Sequence, residues 1–464
     1  MSIIPNSDVI NNAVTKCCDK FSMRFQLYKI LKFCNGYKSK GIPASKVLSF
    51  LIGLCFSGRN LYQLLESEPE KVPFGKDVVY DFLKSISINW EKLLFRIFLS
   101  VFSVVKPLTS DDRKCALVFD DTPYYRNRSK KVELLSSCYD HSGIKQKHYQ
   151  GFYMLTMGWT DGCTFLPVSF QLQASPDPKK RKMESQVPDD GRTLASKRRR
   201  NALKSKPELV LSMLEGIKGS AAQAKYVLFD SWFSSPSALL DIAKLGYHVV
   251  SRLKNNNNLE YIYNGQKLPI SKIYSQNRKR RGRSRYLLSV EIEIQHKAYD
   301  HTIPARLVFV RDKSNKKKWI ALVSTDTSLT EEEVISLYGK RWDIETFFKM
   351  CKSFLRLAKE FQGRTYDGMV AHTTIVCIRY TMLALENREN RDEKSICELF
   401  FVMCKELEDI SFQCAFELIQ DCIAKSAQET LKLSEIQLDA FLTYFFACLP
   451  AYIQAKLKAG NSES

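Results

Sequence analysis

Three stretches of the chain place carboxylates where chemistry is commonly done. The run "KCALVFDD" closes on Asp120 and Asp121, "AKYVLFD" closes on Asp230, and Glu345 stands inside "YGKRWDIETFFKMCK". In open α/β sheets, functional groups gather just beyond the carboxyl ends of the strands. An aspartate there is also an ordinary turn residue, so the third acid matters. Counted at about 100° per residue along a helix, Tyr338, Arg341, Glu345, Lys349 and Lys352 share a stripe roughly 80° wide. Leu337, Ile344, Phe347, Phe348, Cys351, Phe354 and Leu355 fall on a separate, apolar arc. A plain surface helix would explain an Arg341–Glu345 pair, at about a few tenths of a kcal/mol. It would not explain a mostly cationic stripe around one acid. Two strand-end aspartates and a helical glutamate make an oxygen-only donor set, suited above all to Mg²⁺. Cations beside such a set would hold phosphates, which is the layout of two-metal phosphodiester chemistry.

The rest of the composition agrees with that reading. The chain has 464 residues and a net charge of +20, with 70 Lys and Arg against 50 Asp and Glu. A clustered positive excess fits a polyanionic partner, most plausibly nucleic acid, the alternative being a merely basic surface. The 14 cysteines form no CxxC pair and the six histidines no HxxxH or HExxH pattern. Zinc ribbons and thioredoxin-like sites are therefore not expected, and free thiols in a reducing cytosol are. The longest uninterrupted apolar run, "VLSFLIGLCFSG", is too short for a bilayer, and the N-terminus lacks the form of a signal peptide. The expectation is a soluble intracellular protein with no membrane partner.

Elements that could position the acids can be read in order. Residues 1–110 read as helices. "GFYMLTMGWTDGCTFLPVSFQL" reads as a hairpin around "TDG", and residues 174–207, with 11 basic and 4 acidic side chains, as a basic mobile loop. That loop could serve DNA binding or be only a solvated insertion. "SSPSALLDIAKLG" reads as a helix ending at Gly246 and "YHVVSRLK" as a strand, followed by a β-rich stretch over 255–325 that contains "RKRRGRSR". Thr330 and Glu333 have capping-box spacing and open one long helix carrying the cationic stripe. Residues 361–464 read as helical.

Tyr338, Arg341, Glu345 and Lys352, with two, three and six residues between them, reproduce a known signature. On these residues, with "VFDDTPYY" and "VLFDSWFSS", the chain resembles the DDE transposases of bacterial insertion sequences, of the insertion-sequence-four family. The resemblance covers residues 110–360 best, and acid spacings of 110 and then 115 residues suit it. It implies an α/β fold: a ribonuclease H-like catalytic core over 111–360 with a β-rich insertion. Helical regions would flank it, 1–110 for DNA binding and 361–464 for possible dimerisation. It implies Asp120, Asp230 and Glu345 as ligands of two Mg²⁺ ions, with Mn²⁺ able to substitute. Asp121 remains the alternative to Asp120. Tyr338, Arg341, Lys349 and Lys352 would grip phosphates of double-stranded DNA, and Arg252 would touch DNA. Trp319 resembles a tryptophan that stacks on a flipped base, its other reading being a core residue at a strand start. The implied activity is cut-and-paste transposition: cleavage at terminal inverted repeats, then strand transfer into target DNA by a homodimer in a synaptic complex. Two other readings stay open, a ribonuclease H-like nuclease without strand transfer and a non-catalytic DNA-binding relic.

Overall fold

The computed structural model describes residues 18–57, 60–67, 69, 72, 74–140, 147–222, 224–280, 284–312, 315, 318–361, 363–389, 416, 420, 423–425, 427–428, 430–451 and 453–454. Part of "RKRRGRSR", residues 281–283, lies outside them. The chain divides into two compact units, one of residues 1–32, 37–82 and 394–464, the other of 33–36 and 83–393.

The first unit is helical. Apolar residues at helical spacing make α1 (Leu27–Phe33), α2 (Ala44–Leu54), α3 (Leu61–Ser67) and α4 (Lys76–Leu83). Val47, Leu48, Leu51 and Ile52 of α2 are buried, and Phe50 meets Phe74 edge-on at 5.2 Å. Asn60 and Gln63 cap α3 reciprocally, each side-chain oxygen accepting from the other's backbone N–H. A later helix, Glu435–Cys448, also belongs to this unit.

The second unit holds a mixed sheet of 11 strands. They are β1 (Ala116–Tyr125), β2 (Ser136–Asp140), β3 (Lys147–Thr160), β4 (Phe165–Gln173), β5 (Tyr226–Phe229), β6 (His248–Leu253), β7 (Glu260–Tyr263), β8 (Gln266–Pro269), β9 (Leu288–Ile294), β10 (Ile303–Arg311) and β11 (Trp319–Ser324). The order across the sheet is β2-β3-β1-β5-β6-β11-β10-β9-β7-β8, with β4 also on β3. β1 runs antiparallel to β3 and parallel to β5, and β5 parallel to β6. Both halves of the "TDG" hairpin form as β3 and β4, and the β-rich stretch joins the same sheet through β6 and β11.

Helices cover the sheet. They are α5 (Trp90–Val105), α6 (Leu194–Ala202), α7 (Lys206–Ile217), α8 (Pro236–Lys244), α9 (Ile270–Gln276), α10 (Glu331–Gly339), α11 (Trp342–Ser353) and α12 (Tyr366–Glu389). α12 is buried along almost its whole length, as a helix that is apolar all round must be. By length and composition it could cross a bilayer, but 94% of its apolar window is buried inside the protein. It escapes a search for uninterrupted apolar runs because His372, Thr373, Thr374 and Arg379 punctuate it.

Three expectations need correction. Asp120 does not end β1: the strand continues to Tyr125, paired with Gly151 of β3, although its pairing with β5 stops at Val118. The helix expected to run unbroken from Thr330 divides into α10 and α11 at Lys340 and Arg341. There, i+3 hydrogen bonds from Lys340 N–H to Leu337 O and from Arg341 N–H to Tyr338 O tighten the chain. The 174–207 stretch is not a mobile loop throughout, since Thr193 caps α6 and Ser205 with Glu208 forms a capping box on α7. Two of its arginines are buried. Arg198 pairs with Glu91 and Asp367, and Arg199 with Glu133 at 2.6 Å and Asp367 at 2.6 Å. Glu133 also accepts from the N–H groups of Gln186 and Tyr366. These partners satisfy charges that could not otherwise leave water.

One glycine ties the hairpin to α11. The Phe165 ring crosses over Gly158, where an added Cβ would lie 2.0 Å from the ring. That crossing brings Phe165 within 5.2 Å of Phe347 of α11 and 6.1 Å of Tyr380 of α12, measured between ring centroids. Gly158→Val should cost about 1–3 kcal/mol through overpacking, read as a lowered midpoint of thermal unfolding. Gly216→Ala, in α7 with open space around it, should leave the midpoint unchanged or raise it.

Candidate functional site

The parallel register of β1 and β5 builds the site. Ala116, Leu117 and Val118 pair with Tyr226, Val227 and Leu228, and Asp120 and Asp230 each follow two residues after the last pair. The Asp230 charge reaches Asp120. Burial pushes the Asp120 carboxyl up to about 7, with Asp121 and Asp230 adding to the rise while Arg341 and the Asp121 N–H oppose it. Asp230 accepts from the Ser231 N–H at 2.6 Å.

The alternation of the strand separates the two candidates for the first acid. Asp120 and Thr122 point toward α11: Asp120 meets Arg341 at 3.0 Å, and Thr122 accepts from Lys352 at 2.5 Å. Asp121 points to the opposite face, where Lys206 at the start of α7 pairs with it at 2.9 Å. Geometry thus groups Asp120, not Asp121, with the cationic helix.

Glu345 is reached through Arg341. The guanidinium donates through Nη1 to Asp120 and through Nη2 to Glu345 at 2.6 Å, forming a fork between strand and helix. Tyr338 lies beside it. Burial lifts the Tyr338 hydroxyl above its usual range, Asp230 adding to this while Arg341 and Arg252 pull it back. Arg252 is exposed on β6 and its charge reaches Tyr338, which brings it to this edge. Burial lowers the Lys352 ammonium, and Lys349 is exposed one turn after Glu345. Trp319 sits apart from this group: its ring stacks on Tyr274 at 4.9 Å and meets Phe309 edge-on at 5.0 Å.

Both ends of α11 are pinned. At its start, Lys340 donates to the backbone carbonyls of Lys114 and Asp161, each at 2.8 Å. Thr160 donates to Asp343 at 2.6 Å. After its end, Arg356 and Ala358 take positive φ values of 64° and 60°, unusual for residues with a Cβ. Buried side chains of α12 hold that turn: His372 meets Arg356 O at 3.2 Å, and Arg379 donates to Leu355 O at 3.1 Å. Arg379 also pairs with buried Glu360 at 2.9 Å. Sequence reasoning missed His372, Arg379 and Glu360, which belong to no motif; the i, i+7 spacing of His372 and Arg379 is their only signal.

The donor set is chemically suited to a hard divalent cation. It is all oxygen, and burial raises the Asp120 carboxyl, so that a cation close by would favour its charged form. The fit is one of donor type. Among the described residues, no group of three or more His, Cys, Asp or Glu side chains lies close enough to hold a metal ion, and Arg341 stands between Asp120 and Glu345.

Among known families, the one described as DDE superfamily endonuclease matches residues 44–319, more than half of the chain. The match takes in Asp120 and Asp230 and stops at Trp319, ahead of Tyr338, Arg341 and Glu345. No curated protein matches the chain.

The two faces of β1 make a direct prediction. Asp120→Asn should lower DNA cleavage by at least about a hundredfold, while Asp121→Asn should keep it within about tenfold, measured as initial rates on plasmid DNA.

Proposed function

The chain belongs to the DDE superfamily endonucleases, and from that premise we propose that it is the transposase of a bacterial insertion sequence. Its family describes a nuclease that acts on DNA with divalent metal. The finer reading, a member of the insertion-sequence-four family, rests on Tyr338, Arg341, Glu345 and Lys352. Its fold would be the ribonuclease H-like one. The strand order β4-β3-β1-β5-β6, antiparallel up to β1 and parallel beyond it, supports that assignment. One observation carries the proposal: Asp120, whose carboxyl feels the Asp230 charge, is joined through Arg341 to Glu345 on the helix that bears the cations.

In this reading Asp120, Asp230 and Glu345 hold Mg²⁺, with Mn²⁺ able to substitute. When bound, the ions supply Lewis-acid stabilisation of the attacking and leaving oxygens. The residues of the chain do the rest. Arg341 and Lys349 hold the non-bridging phosphate oxygens by charge, and Tyr338 and Arg252 orient the strand beside them. Thr122 fixes the Lys352 ammonium at the same edge. Partial burial of Asp120 and Arg341 limits water around the phosphodiester. A water, and later a DNA 3′-hydroxyl, attacks phosphorus in line, and the displaced 3′-oxygen leaves on the opposite side.

The biological cycle that follows is cut-and-paste transposition. Two copies of the chain bind the terminal inverted repeats, cleave there, and join the freed 3′ ends to target DNA in the bacterial cytoplasm.

DNA carrying the sequences that flank the gene provides the test. Incubated with Mg²⁺, the wild-type protein should cut at matched inverted repeats and give joined products, mapped at nucleotide resolution. Glu345→Gln should bind the same DNA and do neither. Cuts without end preference or joining would favour a plain nuclease, and binding without cutting a DNA-binding relic.

A further inference from the structure

Two roles of Arg341 exclude each other. In the proposed reaction it grips phosphate oxygens, yet in the free chain its guanidinium is engaged by the acids. Nη1 donates to Asp120 Oδ2 at 3.0 Å and Nη2 to Glu345 Oε1 at 2.6 Å. The other oxygen of Asp120, Oδ1, accepts from the Asp121 N–H at 2.8 Å. Both oxygens of Asp120 are thus occupied before any ion arrives. The other cations of the helix are placed differently: Lys352 is held by Thr122 at 2.5 Å, and Lys349 is exposed. Among the described residues, Arg341 alone touches both acids.

A divalent ion and this guanidinium compete for the same place. Mg²⁺ takes its oxygens at about 2.0–2.1 Å in near-ideal geometry, so Asp120 and Glu345 cannot close on an ion while a guanidinium lies between them. Like charge adds to the exclusion. The guanidinium is also incompletely satisfied where it stands. Its side chain is 11% exposed, and its buried Nε–H has no hydrogen-bond partner among the described residues. A buried donor left unmet is destabilising. A phosphate offers what the two acids do not, since the planar fork of an arginine can place Nε–H and one Nη on two oxygens of the same group.

We propose that Arg341 is an internal counter-ion that keeps the metal site of the free chain closed, and that a phosphate of bound DNA opens it by drawing the guanidinium away. Each charge changes partner in that exchange and none is left alone: the phosphate takes the guanidinium, and the divalent ion takes the carboxylates. Metal and DNA then bind cooperatively, each tightening the other by the same factor, as linkage requires. The inference rests on the DNA-processing reading and adds a control to it, since the free chain holds metal weakly until a strand is in place.

Ca²⁺, an oxygen-seeking ion, serves as the probe, and its affinity is measured by calorimetric titration of the full chain. One titration uses free protein. The other uses protein saturated with a duplex carrying the sequences that flank the gene, with the heat of Ca²⁺ on duplex alone subtracted. The duplex should raise the Ca²⁺ affinity of wild-type protein by about 5–150-fold, the usual range for coupled sites. Arg341→Ala should bind Ca²⁺ more tightly than wild type without DNA, and the duplex should then change that affinity by less than about twofold. Arg341→Lys, whose single ammonium cannot span both acids, should move the same way and serves where the alanine variant does not fold. Equal Ca²⁺ affinity with and without bound duplex would overturn the inference and leave the DNA reading intact. So would a coupling that neither substitution reduces, which would assign it to the DNA phosphates alone. Wild-type protein that binds no duplex would overturn both.

Discussion

One guanidinium joins a strand to a helix 221 positions away. Arg341 donates to Asp120 on β1 and to Glu345 on α11, and the rest of the second unit is arranged so that it can. The constraint behind this is the cost of burying carboxylates. Parallel pairing of β1 with β5 sets Asp120 beside Asp230 in a partly buried place, and burial pushes the Asp120 carboxyl up. A cation must approach for the charged form to persist. Arg341, at the junction of α10 and α11, supplies one.

The precision of that contact depends on supports that lie outside the acids. The turn of the β3–β4 hairpin holds the start of α11 through Lys340 and Asp343. Asp161 in that turn is itself anchored by Thr109, Arg113 and Arg388. At the far end, Arg379 and His372 hold a turn with two positive-φ residues. Further out, the charges of Arg198, Arg199, Glu91, Glu133 and Asp367 lock α6 to α12. Removing one member of such a buried set leaves its partner uncompensated, at about 3–5 kcal/mol.

What the sequence reveals follows the range of the physics. Short-range features are legible in it: the Thr330 capping box, the "TDG" turn, and the strand that delivers Asp230. The 110-residue spacing of Asp120 and Asp230 equals the β1–β5 register offset, but that offset only acquires meaning once the strands are known to be parallel neighbours. Asp120 and Asp121 cannot be separated by motif, whereas their partners, Arg341 and Lys206, lie on opposite faces. The arginines of "SKRRRNA" read as a solvated basic run because their partners are far away, Arg198 lying 107 positions from Glu91 and 169 from Asp367. Helical periodicity groups Tyr338 with Arg341 and Glu345 correctly, and it cannot register the break at 340–341, since both residues there stay in the right-handed helical region.

The central claim is that Asp120, Asp230 and Glu345 form one divalent-cation site whose charge Arg341 balances in the free chain. Calorimetric titration of Mn²⁺ into DNA-free protein tests it most directly. The account predicts saturable binding that Glu345→Gln and Asp230→Asn each weaken, and that Arg341→Ala strengthens by removing the competing cation. Binding that is indifferent to all three substitutions would contradict it.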